Sequence, residues 1–394
     1  MGWKELNIFG FPTSSTRTHD RFEMTVTTTG AQTLTLQSLD VASGKTVRVT
    51  WGDGSYTDYT GTGTRTHAYS GAGTWTVTIT PPGSITKIDF RDTKITLNHS
   101  LANCTAVTSL AIYNVSGFNS AYIADMPLTS LTLYLEVAGT YTFDSGHISS
   151  MPLTYLYMRL SAAGTYTFDS SHISSMALTY LYLRLYAAGT YTFNSSHIGS
   201  MPLTTLDLYL PAAGTYTFNS SHIGSMALTI LSLHLPAAGT YTFNSSHISS
   251  MALTYLYLYL DAAGTYTFDS SHISSMALTY LYLYLDAAST TTTIARADWG
   301  GVVLRGAQYS TIQMGLDATE VSNVLLGIYD MVSSGARTAT GGTLNVAGSN
   351  AAPSGVLQAA CPPTTGKEAA YELVNDTCNV IPAGEEYAAV TINN

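Results

Sequence analysis

A 25-residue unit repeats through the middle of this chain, and it limits the fold more than any other feature. Met126, Met151, Met176, Met201, Met226, Met251 and Met276 open seven copies with no insertion between them. The unit reads Met-Pro/Ala-Leu-Thr-x-Leu-x-Leu-x-Leu-x-Ala-Ala-Gly-Thr-Tyr-Thr-Phe-Asp/Asn-Ser-Ser-His-Ile-Ser/Gly-Ser. Looser copies precede it at Ile85–Phe90 and Val107–Ile112, and the last full copy decays after Ala288. A fixed period of this size marks stacked repeats, each unit one coil.

Each coil holds two segments that alternate with period two, the signature of a strand with one buried face. Leu181, Leu183 and Leu185 alternate with Tyr180, Tyr182 and Arg184. Tyr191 and Phe193 then alternate with Thr190 and Thr192. The Ala-Ala-Gly between them predicts a turn whose Gly takes positive φ. Asn194-Ser195-Ser196 predicts a cap opening one short helical turn that carries Ile198 and Met201 inward. One coil cannot offset its own ordering entropy. Stacking at about 4.8 Å per strand would supply the rest, and nine coils would span about 40 Å.

The copies differ at four rows of positions, three on the outer face of the leucine strand and one just after it. The rows are Ser130, Tyr155, Tyr180, Thr205, Ile230, Tyr255, Tyr280; then Thr132, Tyr157, Tyr182, Asp207, Ser232, Tyr257, Tyr282; then Tyr134, Arg159, Arg184, Tyr209, His234, Tyr259, Tyr284; and last Glu136, Ser161, Tyr186, Pro211, Pro236, Asp261, Asp286. Thirteen of these 28 positions are Tyr. Tyr with scattered Ser, Thr, Arg and Asp is the composition of a binding surface, because Tyr gives large amphipathic contact at low entropy cost. A tyrosine ladder that merely suits exposed strands accounts for the Tyr but not for the Arg, Asp and His interruptions. The candidate ligand face is therefore Tyr155, Tyr157, Arg159, Tyr180, Tyr182, Arg184, Tyr186, Asp207, Tyr209, His234, Tyr255, Tyr257, Tyr259, Tyr280, Tyr282 and Tyr284.

Six histidines recur at His147, His172, His197, His222, His247 and His272. A file along one axis does not converge on a metal. The repetition points instead to one local job, a hydrogen bond to a turn carbonyl. Asp144, Asp169, Asn194, Asn219, Asn244 and Asp269 read as caps, since alternation with neutral Asn argues against calcium. Asp261 and Asp286 fall one coil apart through repeat registry, and no nucleophile, zinc or phosphate motif appears. No enzyme, metal or cofactor is expected.

The Leu-x-x-Leu-x-Leu core, as in Leu178-Thr179-Tyr180-Leu181-Tyr182-Leu183, resembles the leucine-rich-repeat family of the irregular bacterial and phage type. That resemblance implies recognition through the strand face. The Asn or Cys usual after the strand is missing from the full copies. The Asp/Asn series is the candidate replacement for its backbone ladder, with a straighter β-solenoid as the alternative shape. At the amino-terminal end, Trp51-Gly52-Asp53-Gly54-Ser55, His67-x-Tyr69 and Gly73-Thr74-Trp75-Thr76-Val77 resemble a PKD (polycystic-kidney-disease) domain. The resemblance implies an Ig-like β-sandwich capping the first coil or serving as a spacer, with Asp53 a turn residue. At the other end, Asp317-Ala318-Thr319-Glu320 opens an amphipathic helix ending near Gly335. A strand at 342–346, a loop over Asn350–Gly355, a helix near Lys367–Val374 and a strand at Tyr387–Ile392 follow. This stretch resembles the terminal cap of phage and bacterial leucine-rich-repeat proteins. The expected fold is mainly β: a leucine-rich-repeat-like β-solenoid over 83–299, a PKD-like β-sandwich over 1–82, and an α/β cap over 300–394.

Charge narrows the partners. Only 10% of residues are charged, against about 25% in ordinary soluble proteins. The net charge is −10, and no Lys occurs between Lys94 and Lys367. Nothing offers the positive patch a phosphate backbone needs. No apolar run approaches the roughly 20 residues of a membrane span. Met1-Gly2-Trp3-Lys4-Glu5 has no secretory pattern, so either a signal was removed or export used none, as for a virion protein released by lysis. Of the three cysteines, Cys361 and Cys378 could form one bridge, adding about 3 kcal/mol, or all three with Cys104 are buried thiols. The sequence thus suggests a recognition or adhesion protein, extracellular, on a cell surface or on a virion, that binds a surface glycan or a protein. The alternative is a self-associating subunit of a filament or sheath.

Overall fold

The computed structural model describes residues 21–285, 290–299, 309–334, 343–347, 350–376, 378, 381, 387 and 389–393. The expectations for Met1–Glu5, Asp286 and Gly335 lie outside these residues. The chain is mainly β, with strands recurring every 25 residues and few helices. The leucine strands, such as Tyr180–Leu185 and Thr205–Tyr209, stack in parallel register in the middle of a 14-stranded sheet. The Thr-Tyr-Thr-Phe strands, such as Thr190–Asn194, form a second, seven-stranded sheet. Between the sheets lies a continuous core. Leu181, Leu183 and Leu185 are fully buried, and Tyr191, Phe193, Ile198 and Met201 fill the opposite wall.

Two ladders of small hydroxyl side chains hold the coils in register, and the Asp/Asn series is not one of them. Asn194 caps its own 3-10 turn, accepting from Ser196 N at 2.9 Å. The serine after it makes the link between coils. Buried Ser195 accepts from Asn219 N at 2.9 Å and meets His222 Nδ1 at 2.8 Å. The same pair joins Ser145 to His172 and Ser170 to His197. The histidines thus bind a buried serine of the preceding coil rather than a turn carbonyl. The Ser195 hydroxyl also reaches Asn219 O at 3.4 Å, and the tautomer of His222 sets which partner donates in the 2.8 Å contact. After the last full copy Asp298 replaces the histidine, accepting from Ser270 at 2.6 Å. The second ladder is threonine: Thr204 Oγ1 and Thr204 N both donate to Thr179 O, at 3.1 and 2.9 Å. Ser195→Ala leaves the Asn219 amide without its acceptor and is expected to cost about 1–3 kcal/mol. Urea melting of the variant checks this, and an unchanged midpoint would show that the serine ladder carries no stability.

The turn glycines are needed for closeness, not for positive φ, which none of Gly164, Gly189, Gly214 and Gly239 adopts. Tyr191 folds back over Gly189 so that its hydroxyl donates to Ala187 O at 2.9 Å. A Cβ on Gly189 would lie 2.6 Å from Tyr191 Cζ and 2.8 Å from Tyr166 O.

No linker separates the first unit from the coils. Ile85–Phe90 pairs antiparallel with Gln32–Val41 on one side and parallel with Ser109–Tyr113 on the other. Ile95–Thr96 returns to pair with Phe22–Thr29. The boundary expected at residue 82 is therefore a shared sheet. Buried Trp51 stacks on His67 at 4.7 Å, and Tyr69 donates to Trp51 O at 2.9 Å. Asp53 is a turn residue, accepting from Ser55 N and contacting His67 Nε2 at 2.7 Å.

The carboxy-terminal segment extends the sheet as well as covering it. Tyr309–Gln313, Thr343–Asn345 and Ala389–Thr391 add three parallel strands beyond Tyr280–Leu285. Helices Ala318–Ser333 and Gly366–Asn375 take the place of the second sheet, each opened by a capping box. Buried Asn350 spends both amide protons and its oxygen on Ile312 O, Val346 O, Met314 N and Leu316 N. Asn114, after the strand Ser109–Tyr113, likewise accepts from Glu136 N and Val137 N. Asn therefore ties the backbone at both ends of the array; in the first of these coils the serine ladder runs as well, Ser120 accepting from Asp144 N at 2.8 Å. Cys361 and Cys378 are bridged, and Cys104 is a free, buried thiol whose pKa burial pushes up to about 12. Cys361, Cys378 and Glu372 lie close together, but a disulfide leaves no thiolate for a metal. No helix among the described residues is long and apolar enough to cross a membrane.

Candidate functional site

The pleat puts the first three variable rows on the outer side of the 14-stranded sheet, opposite the leucines. Fifteen of the sixteen candidate residues lie on those strands, and Tyr186 follows directly after Leu185. In-register pairing brings each row into a column. Tyr155 stacks on Tyr180 at 4.3 Å, and Tyr157 on Tyr182 at 4.1 Å, within coils two and three. In coils six and seven, Tyr255 stacks on Tyr280, Tyr257 on Tyr282 and Tyr259 on Tyr284, at 4.4 to 4.5 Å. Burial raises the phenol pKa values of Tyr155, Tyr180, Tyr255 and Tyr280, to about 12 at Tyr255. The face is therefore uncharged tyrosine at neutral pH.

The charged interruptions are paired with one another. Arg184 Nη2 meets Asp207 Oδ2 at 3.1 Å, and its guanidinium lies 4.5 Å above the Tyr182 ring. Arg159 pairs with Glu136 and sits between the Tyr134 and Tyr186 rings. Arg159 Nε is buried without a partner among the described residues. Internal pairing thus accounts for the Arg and Asp interruptions that a plain tyrosine ladder left open, and it cancels their charge.

His234 completes the third row. It touches Tyr209 at 4.0 Å and Tyr259 at 4.2 Å. Burial among these rings, reinforced by the Arg184 charge, pushes its pKa down to about 4. The unfolded value is near 6.5, so between pH 6.5 and 4 the unfolded chain binds the extra proton. Its stabilising contribution is full above 6.5 and is lost as pH falls toward 4. An NMR titration is expected to place the His234 midpoint near 4, and His234→Phe to remove that part of the acid destabilisation. A midpoint near 6.5 would contradict the buried placement.

Coils four and five break the first two columns. Thr205, Ile230, Asp207 and Ser232 stand where neighbouring coils carry tyrosine. Their strands, Thr205–Tyr209 and Ile230–His234, also end one residue early, before Leu210-Pro211 and Leu235-Pro236. A proline lacks the N–H that would continue the ladder. The result is a cleft of about 330 Å³.

The candidate set left out residues that share this surface. Tyr134 stacks between Tyr113 and Tyr157, and Arg91 lies 4.2 Å above Tyr113. Tyr113 holds the third-row position of the looser copy, so register alone could have found it. Ser232 was in the rows but not in the set, because a small residue shows its role only where its neighbours are large.

No protein-family model matches this chain, and no curated protein matches it.

Proposed function

We propose that this is a non-enzymatic recognition protein, a leucine-rich-repeat-like β-solenoid that binds a surface glycan or a protein through its outer tyrosine face. A phage receptor-binding or adhesion component, on a virion, on a cell surface or outside the cell, is the setting that fits. One observation carries the reading. The coils are near-copies in the core and along the serine and threonine ladders, and apart from the Asp/Asn alternation at the caps their large changes of size and charge fall on one continuous outer face. Packing explains the constancy of the leucine, serine and threonine positions. It does not call for variation at positions that touch solvent. Rigid, stacked, uncharged rings lose little entropy on binding, and they present flat apolar faces beside hydroxyl groups.

The test is binding of the purified protein to a glycan array and to candidate cells, beside Tyr257→Ser/Tyr259→Ser/Tyr282→Ser/Tyr284→Ser. Binding by the parent and its loss in a variant that melts cooperatively supports the face. Equal binding by both removes it.

The second reading, a self-assembling filament or sheath subunit, has its own observation. The sheet ends on Ala389–Thr391, whose outer edge pairs with no strand among the described residues. An open edge is a template for another chain. Ordered polymers in electron micrographs of the protein alone would favour this reading; dispersed monomers would favour recognition.

A further inference from the structure

We propose that the cleft over coils four and five binds a neutral sugar, one ring stacked on Tyr257 and two adjacent hydroxyls set against the Arg184–Asp207 ion pair. This deepens the recognition reading and rests on it.

The cleft is a built gap in an otherwise filled surface. Along the second row the register runs Tyr182, Asp207, Ser232, Tyr257. Three strand steps, about 14 Å, separate the two tyrosines. Arg184 covers the Tyr182 side of the gap. Tyr257 is stacked on its far side by Tyr282 at 4.5 Å, while its near side lines the cleft. His234 stands at the edge of that near side, 6.2 Å from the Tyr257 centroid. The volume, about 330 Å³, falls at the small end of the roughly 300–1,000 Å³ of small-molecule pockets.

The polar groups fit a diol better than an ion. Asp207 accepts and Arg184 donates, side by side, and each hydroxyl of a diol can do either. Ser232 offers a third hydroxyl, and neutral His234 one donor and one acceptor. An anionic ligand would have to displace Asp207 from Arg184, and a cationic one Arg184 from Asp207. Either exchange leaves a partly buried charge unpaired, since Asp207 is only 14% exposed. A neutral sugar leaves the pair intact, and its axial C–H groups lie on the Tyr257 ring.

Ser232→Tyr fills the gap with the residue that coils two, three, six and seven carry at this position, so the backbone accommodates it. Asp207→Asn keeps the volume and removes the charge, and serves if the first variant fails to fold. The probe is an array of neutral, sialylated and sulfated glycans, followed by calorimetry on the best binder. Preference for neutral glycans and at least a tenfold loss of affinity in both folded variants is the expected result. Preference for acidic glycans, or undiminished binding by Ser232→Tyr, would overturn the proposal. If the four-tyrosine serine variant loses binding while Ser232→Tyr keeps it, the cleft is wrong and the face stands. If neither loses binding, both are wrong. A parent that binds cells but no glycan on the array overturns the sugar and leaves the face.

Discussion

Leu208→Ala is expected to destabilise the protein by about 2–5 kcal/mol, the range for emptying a fully buried leucine site. Leu208 has no exposed surface and lies in the central coil, in register between Leu183 and Leu233. In a stack each coil is held mainly by its neighbours. A void at this position therefore weakens two interfaces, and the strands on either side cannot collapse without breaking their pairing. The next residue on the same strand gives the contrast. Tyr209 faces outward against His234 and Tyr186, and Tyr209→Ser should cost about 1 kcal/mol, the worth of an aromatic contact. Equilibrium unfolding in guanidinium measures both. A Leu208→Ala cost below that of Tyr209→Ser would mean that the core does not lie between the two sheets.

Gly189→Ala should be nearly as damaging, at about 2–4 kcal/mol. The added carbon falls 2.6 Å from Tyr191 Cζ and 2.8 Å from the Tyr166 carbonyl of the preceding coil. The backbone oxygen cannot move without opening the second sheet, so the ring must leave. Overpacking of this kind costs about 1–3 kcal/mol. The hydrogen bond from Tyr191 to Ala187 O, worth about 1 kcal/mol, goes with it. Gly44→Ala is a useful control: no atom lies within 4 Å of its Cβ, although its φ of +72° adds some strain. A Gly189→Ala cost no larger than that of Gly44→Ala would show that the Tyr191 ring does not lie over the glycine.

Much of this fold is legible in the residues. Period-two alternation in Leu181-Tyr182-Leu183 fixes which side is core, because a one-residue slip would expose every leucine. Asp317 and Glu320 form a capping box where a helix opens. Tertiary contacts decide what the sequence left open. Ser195 looks like any turn serine, and its two bonds to the next coil appear only when that coil is stacked on it. The turn glycine invites a positive-φ reading because that is the usual use of Gly, whereas here the reason is a ring two residues later. The first unit reads as separate because its turns do, yet Ile85–Phe90 belongs to both sheet halves. On the tyrosine face the rows could be read directly, since repeats align themselves. The pairing of Arg184 with Asp207 could not, because a charge written in two different coils shows no partner until register is known. The cleft follows from the same register, through the small side chains of Asp207 and Ser232.

The most direct test sets one outer face against the other. Tyr257→Ser/Tyr259→Ser/Tyr282→Ser/Tyr284→Ser alters the varying face, and Thr190→Ala/Thr192→Ala/Thr215→Ala/Thr217→Ala alters the constant face of the second sheet. Both leave the core residues in place. Binding to the glycan or cell that the parent recognises is measured for all three proteins after melting curves confirm their folds. At least a tenfold loss in the tyrosine variant, with the threonine variant unchanged, is the predicted result. Full binding by the tyrosine variant, or a loss confined to the threonine variant, would contradict recognition through the tyrosine face.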